Sequence, residues 1–150
     1  MRKYLPTLAE LIDRLSITQL KEIFINEHKK EYAQEIEDIL HDIDLILQEN
    51  NNTLDANLIR DIIVLAQFNL HIWHNESNYR QGADIEKKVS YDLELTHGLN
   101  GIRNTAKNKI QAKIGGRKDY KIDCLAAKFE NCLPSGYPKA ETQTKEIPNE

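Results

Sequence analysis

Glycine and proline, the residues that most readily end a helix, number only six and four in this chain of 150. Long uninterrupted runs follow from that scarcity. The breaks that exist fall between such runs: Pro6 near the start, Asn50-Asn51-Asn52, Gly82, and Gly115-Gly116. Cysteine is rarer still, with Cys124 and Cys132 alone. Two thiols fit neither a disulfide framework nor a zinc knuckle, and they point to a reducing, cytoplasmic compartment. No apolar run approaches the roughly 20 residues that span a bilayer; residues 62–66 are among the longest. The start, MRKYLPTLAEL, has two early bases but meets Glu10 with no apolar segment behind it, so it does not read as a signal peptide. Alternation of apolar and polar residues is nowhere sustained, which argues against strands. A formal charge of −4 gives no general pull toward nucleic acid or an anionic membrane. Nucleophile-elbow, P-loop, dinucleotide and H-E-x-x-H patterns are all missing from the chain.

The remaining runs carry helical periodicity. Thr7-Leu8-Ala9-Glu10 is a capping box directly after Pro6, and Leu8, Leu11, Ile12 and Leu15 share one face behind it. Ser16-Ile17-Thr18-Gln19 has the form of a second box, which would start a new helix there and carry it to about Lys29. Further helices are expected over 31–48, 55–80 and 84–114, with a short one over 119–129. The expected fold is all-α, an antiparallel bundle of about four to six helices with two long central ones. A single domain over 1–132 is expected to precede a polar, Pro-containing, mobile tail over 133–150.

Two of these runs hold polar residues at core-like spacing. Asn69, Trp73, Glu76 and Arg80 fall at i, i+4, i+7 and i+11, and Asn100, Asn104 and Lys107 repeat the spacing with Arg103 alongside. Two helices can face each other across such a polar seam. Glu76 and Arg80 have the spacing of an intrahelical pair, and if partly buried beside Trp73 they would need Arg103, Asn100 and Asn104 to complete them. A closed seam would be a structural network; an open one would suit a small anionic ligand. Gly98 and Gly101 inside the later helix each cost about 1 kcal/mol against Ala, which a close helix approach would explain. His71, His74 and His97 lie in the same segments but lack the spacing of a zinc site.

Charge is distributed unevenly along the chain. Seven acids and no Lys or Arg lie between Glu31 and Glu49, whereas Leu95 to Lys118 contains no acid and six bases: Arg103, Lys107, Lys109, Lys113, Arg117 and Lys118. The plain reading is two solvated faces, or two faces that attract when packed antiparallel. On the acidic helix, Ile36, Ile39, Leu40, Ile43, Ile46 and Leu47 are expected to face the core. A sharper reading makes Glu35, Asp38 and Asp42 ligands of Mg²⁺, a hard cation that takes a few carboxylates plus substrate phosphates. Glu35-Ile-Glu-Asp38 loosely resembles half the signature of all-α nucleoside triphosphate pyrophosphohydrolases. The other half, paired glutamates on the preceding helix, has no counterpart, since Glu22 and Glu27 have the wrong spacing. The basic run offers a second alternative, a nucleic-acid accessory role through residues 103–118, but no aromatics interleave to stack bases.

Residues 10–21 (ELIDRLSITQLK), then Asn69-x-x-x-Trp73-His-x-Glu76-x-x-x-Arg80, then Asn100-x-x-Arg103-x-x-x-Lys107, together resemble a group of uncharacterised all-helical proteins. They occur in bacteria, some near cell-surface polysaccharide genes, and in marine phages. The resemblance covers roughly residues 7–125. It implies an all-α fold, no activity, and family-type positions at Asp13, Lys21, Trp73, Glu76, Arg80, Asn100 and Arg103. The acidic stripe and Gly115-Gly116-Arg117 depart from the group's pattern. The reading that follows is a small helical binding or interaction module, a homodimer because its long helices outrun one small core, with no cofactor assigned. The alternative is a Mg²⁺-dependent hydrolase of a nucleotide or phosphorylated sugar, with Arg103 or Lys107 on phosphate.

Overall fold

The computed structural model describes residues 2–51, 53–80, 85–115 and 133–137, with the backbone alone for 77–80, 85–94 and 96. Among the described residues there are four helices and no strand: α1 (Leu8–Phe24), α2 (Lys29–Glu49), α3 (Ala56–Arg80) and α4 (Ile85–Ile114). The all-α bundle expected from the periodicity is therefore present. The expected helix over 119–129 lies outside the described residues, as do Cys124 and Cys132.

Helix α1 starts where the capping box places it. Thr7 Oγ1 accepts the Glu10 N–H at 3.2 Å, and the Thr7 N–H donates to Glu10 Oε2 at 2.9 Å. The second box, at Ser16-Ile17-Thr18-Gln19, starts nothing: α1 runs through it to Phe24. Both hydroxyls have tertiary partners instead. Asn69 donates to Ser16 Oγ at 3.1 Å, while Thr18, only 1% exposed, donates to Glu35 on α2 at 3.4 Å. Nor does α1 reach Lys29. It stops at Phe24 because Ile25 is extended (φ −106°, ψ 118°), and His28 turns the chain into α2 from the left-handed region at φ 62°.

Helices α3 and α4 form the antiparallel central pair. Asp55, just ahead of α3, lies 3.8 Å from Lys113 at the end of α4. Leu58 and Leu65 from α3 are buried with Ala106 and Ile110 from α4, and Ala9 of α1 completes that core. Gly98, the earlier of the two helix glycines, is also buried. Helix α1 packs on both central helices, whereas α2 packs on α1 and on no other helix among the described residues.

This placement corrects the expected orientation of α2. One helix contact covers only part of an apolar face, so Ile39 is buried while Leu40 is 46% exposed. Ile36, Ile43, Ile46 and Leu47 are half-buried. The acidic and basic helices do not pack against each other: α2 meets α1 and makes no contact with α4 among the described residues. No described helix is long and apolar enough to cross a membrane.

Past the expected domain boundary at residue 132, Leu133 to Tyr137 fold back onto the central pair. A turn with Gly136 at φ 79° and a Tyr137 N–H to Pro134 carbonyl bond of 3.1 Å bring Tyr137 to rest at 7% exposure. The tail residues 138–150 lie outside the described residues.

Candidate functional site

A polar network joins three helices, and its centre is a carboxylate on α1. Asp13, on α1, accepts a 2.8 Å hydrogen bond from Asn69 Nδ2 of α3 through Oδ1. Its other oxygen accepts from Arg103 Nη1 of α4 at 3.4 Å. Asn69 also donates to Ser16, so four side chains join three helices. The Asp13 and Arg103 side chains are 14% and 20% exposed, so the pair is mostly withdrawn from water without being fully desolvated. A mostly buried ion pair is sustained only by such additional hydrogen bonds.

The other expected seam residues divide. Asn104 joins the buried interior at 7% exposure, and its Oδ1 has no hydrogen-bond partner; Arg103 Nε is likewise buried without one. Asn100 and Lys107 are half-buried on the same helix. Trp73 turns away from the polar group and stacks on Phe24 of α1, with ring centroids 6.4 Å apart and planes at 26°. His74 meets the same Phe24 edge-on at 5.4 Å. Glu76 is exposed, and the Arg80 side chain lies outside the described residues. The described residues show an Asp13-Arg103-Asn69 network and an aromatic cluster of Phe24, Trp73 and His74; the expected Glu76-Arg80 pair rests on a side chain outside the described residues.

A second charged centre lies one end of the bundle away. The Asp61 side chain, 3% exposed, accepts a 2.8 Å hydrogen bond from the Tyr137 hydroxyl on Oδ1. Lys113 Nζ stands 3.2 Å from Oδ2 and Lys109 Nζ 3.8 Å from Oδ1. Oδ2 has no hydrogen bond, so Lys113 supplies it with counter-charge at a poor angle. Lys109 also lies 4.0 Å from the Tyr137 ring centroid, a cation-π contact, and Arg60 caps the turn through Ser135 Oγ at 3.1 Å. Burial, and then the hydrogen bond to Asp61, push the Tyr137 hydroxyl well above the ordinary phenol range.

Asp61 was legible in principle. It lies three residues after Leu58 and four before Leu65, on the same face as two large apolar residues. A carboxylate there demands cations, which the acid-free later helix supplies. Tyr137 carried a weaker signal, one large aromatic within a polar segment.

The three carboxylates considered as Mg²⁺ ligands have separate partners. Glu35 accepts from Arg14 at 2.9 Å as well as from Thr18, Asp38 accepts from Gln34 at 3.1 Å, and Asp42 lies 3.2 Å from His41. Among the described residues no group of three or more His, Cys, Asp or Glu comes together to hold a metal ion. Within the basic run, Arg103, Lys109 and Lys113 face internal carboxylates; Arg117 and Lys118 lie outside the described residues. Comparison with protein-family models, with curated proteins and with solved structures found no match.

Proposed function

We propose that the chain is an interaction module of the cytoplasm that works as a homodimer, with the polar seam as the element that fixes its helix arrangement. The observation that supports this reading is the unequal use of its polar and apolar groups. Asp13, Ser16, Asn69 and Arg103 bond to one another across three helices. Large apolar side chains meanwhile stand outward: Ile59 and Ile63 on α3 are 47% and 50% exposed, Phe24 on α1 48%, and Leu40 on α2 46%. Ile59 and Ile63, one turn apart on α3, form the nucleus of an exposed apolar patch, the kind of surface that marks an association site. A network whose bonds run from helix to helix serves architecture before ligand binding, although Arg103 Nε and Asn104 Oδ1 are left over.

Thermal denaturation at several protein concentrations tests the proposal. Association makes the Tm of a dimer rise with protein concentration, because partner binding favours the folded state by mass action. Nucleotides, sugar nucleotides and millimolar Mg²⁺ are expected to leave the Tm unchanged. A Mg²⁺-dependent rise that Asp38→Asn abolishes would instead establish the hydrolase reading.

A further inference from the structure

Helix α3 carries two apolar stripes. One, through Leu58, Leu65 and Ile72, is buried in the bundle. The other runs through Ala56, Ile59, Ile63, Ala66, Leu70 and Trp73, at alternating steps of three and four residues, the repeat by which one helix packs along another. Ile59, Ile63 and Leu70 on this stripe are 47%, 50% and 36% exposed. At about 1.5 Å per residue it is roughly 26 Å long. We infer that this outer stripe of α3 is the dimer interface and that it takes α3 of a second copy in antiparallel orientation.

Residue sizes along the stripe select the occupant and the register. In an antiparallel pair each position of one kind packs against the other kind on the facing helix. Centring the two-fold axis between Ile63 and Ala66 then sets Ile63 against Ala66 of the second copy, Ile59 against its Leu70, and Ala56 against its Trp73, whose ring is already half-buried against Phe24 of its own α1. The two small residues fall opposite a β-branched residue and the largest residue in the chain, so two of the three layers interdigitate large with small, while the third sets Ile59 against Leu70, two side chains of similar volume. An isologous contact demands such self-complementarity.

Charge agrees with this choice. The stripe itself has no charged member, and on its solvent side the register brings Arg60 beside Gln67 of the second copy; the one like-charge pairing, Asp55 with Glu76 of the second copy, falls at the outer ends, where Lys113 already stands 3.8 Å from Asp55. The half-covered stripe of α2, through Ile36, Leu40, Ile43 and Leu47, fares worse, because its like-charge pair is central and α2 has no Lys or Arg between Glu31 and Glu49 to offset it. Glu37 and Asp44 flank it, and two antiparallel copies would set these carboxylates against each other.

The inference rests on the dimer reading, and one set of measurements separates the two. Light scattering behind size exclusion on the full chain, over roughly 1 to 100 μM, is expected to give twice the monomer mass of 17.4 kDa. Ile63→Glu is expected to halve that mass with helical circular dichroism unchanged, because the side chain is half exposed and outside the core. Ala66→Lys alone is likewise expected to be monomeric, and mixing the two variants is expected to restore the dimer, since the register pairs these two positions. A dimer that survives Ile63→Glu would overturn the α3 interface and leave the dimer standing. A monomeric wild type would overturn both, and a fall in its Tm on Ile63→Glu would show that the stripe is covered by the chain itself. Restoration by Ile63→Glu with Ile63→Lys, and not with Ala66→Lys, would overturn the antiparallel register.

Discussion

At Asp13 donors from two other helices converge on one carboxylate, so Asp13→Ala leaves both Arg103 and Asn69 without their acceptor. Removing one partner of a fully buried pair costs about 3–5 kcal/mol. With the two side chains 14% and 20% exposed, water recovers part of that, and a loss of about 2–3 kcal/mol is expected in urea denaturation. Glu76→Ala, at an exposed position, is expected to change stability by no more than about 0.5 kcal/mol. Equal losses for the two variants would refute the Asp13-centred network. Tyr137→Phe leaves Asp61 with one hydrogen bond fewer and is expected to cost about 1–2 kcal/mol at neutral pH. Its pH dependence has a definite sign. Folding holds the phenol proton more tightly, so the wild-type advantage is complete below the ordinary phenol value of about 10 and shrinks as the pH rises past it. The stability gap between wild type and Tyr137→Phe should therefore narrow above about pH 10; a gap that widens there would exclude the Tyr137-Asp61 bond as its source. Spacing alone brought out Asn69, Arg103 and Asn104. Asp13 entered only through a resemblance, because a single aspartate on an amphipathic helix looks the same whether it faces water or an arginine 90 residues away.

Helix α2 is the least supported element. Among the described residues it touches α1 alone, and one turn of contact near Thr18, Arg14 and Glu35 carries its polar attachment. Elements with few buried apolar contacts open at lower free energy than core elements. In native-state hydrogen exchange the α2 amides are expected to exchange well before those in the middle of α3 and α4, and equal protection across all four helices would contradict this. Periodicity made α3 and α4 legible to within a residue or so. It placed a boundary wrongly inside α1, because Ser-x-x-Gln has the composition of a cap wherever it occurs. Whether its hydroxyls cap a helix or bond to a neighbouring one depends on what packs there.

For the whole molecule, the interface prediction turns on the same distinction between pattern and partner. A dimer formed through α3 buries its outer stripe and leaves the acidic face of α2 in water, so its mass should respond to Ile63→Glu and not to Asp38→Asn. The sequence by itself determined that the chain is helical, where its two longest helices lie, that these would carry polar residues inward, and how unevenly charge is spread. These properties are local: spacing, propensity and the placement of Gly and Pro act within a few turns of chain. Only the tertiary structure decided that α1 supplies the seam's carboxylate, that α2 stands apart from α4, and that Tyr137 returns to cap Asp61. Each of these depends on which face meets which helix at long range, and a helical repeat specifies a face without specifying its partner.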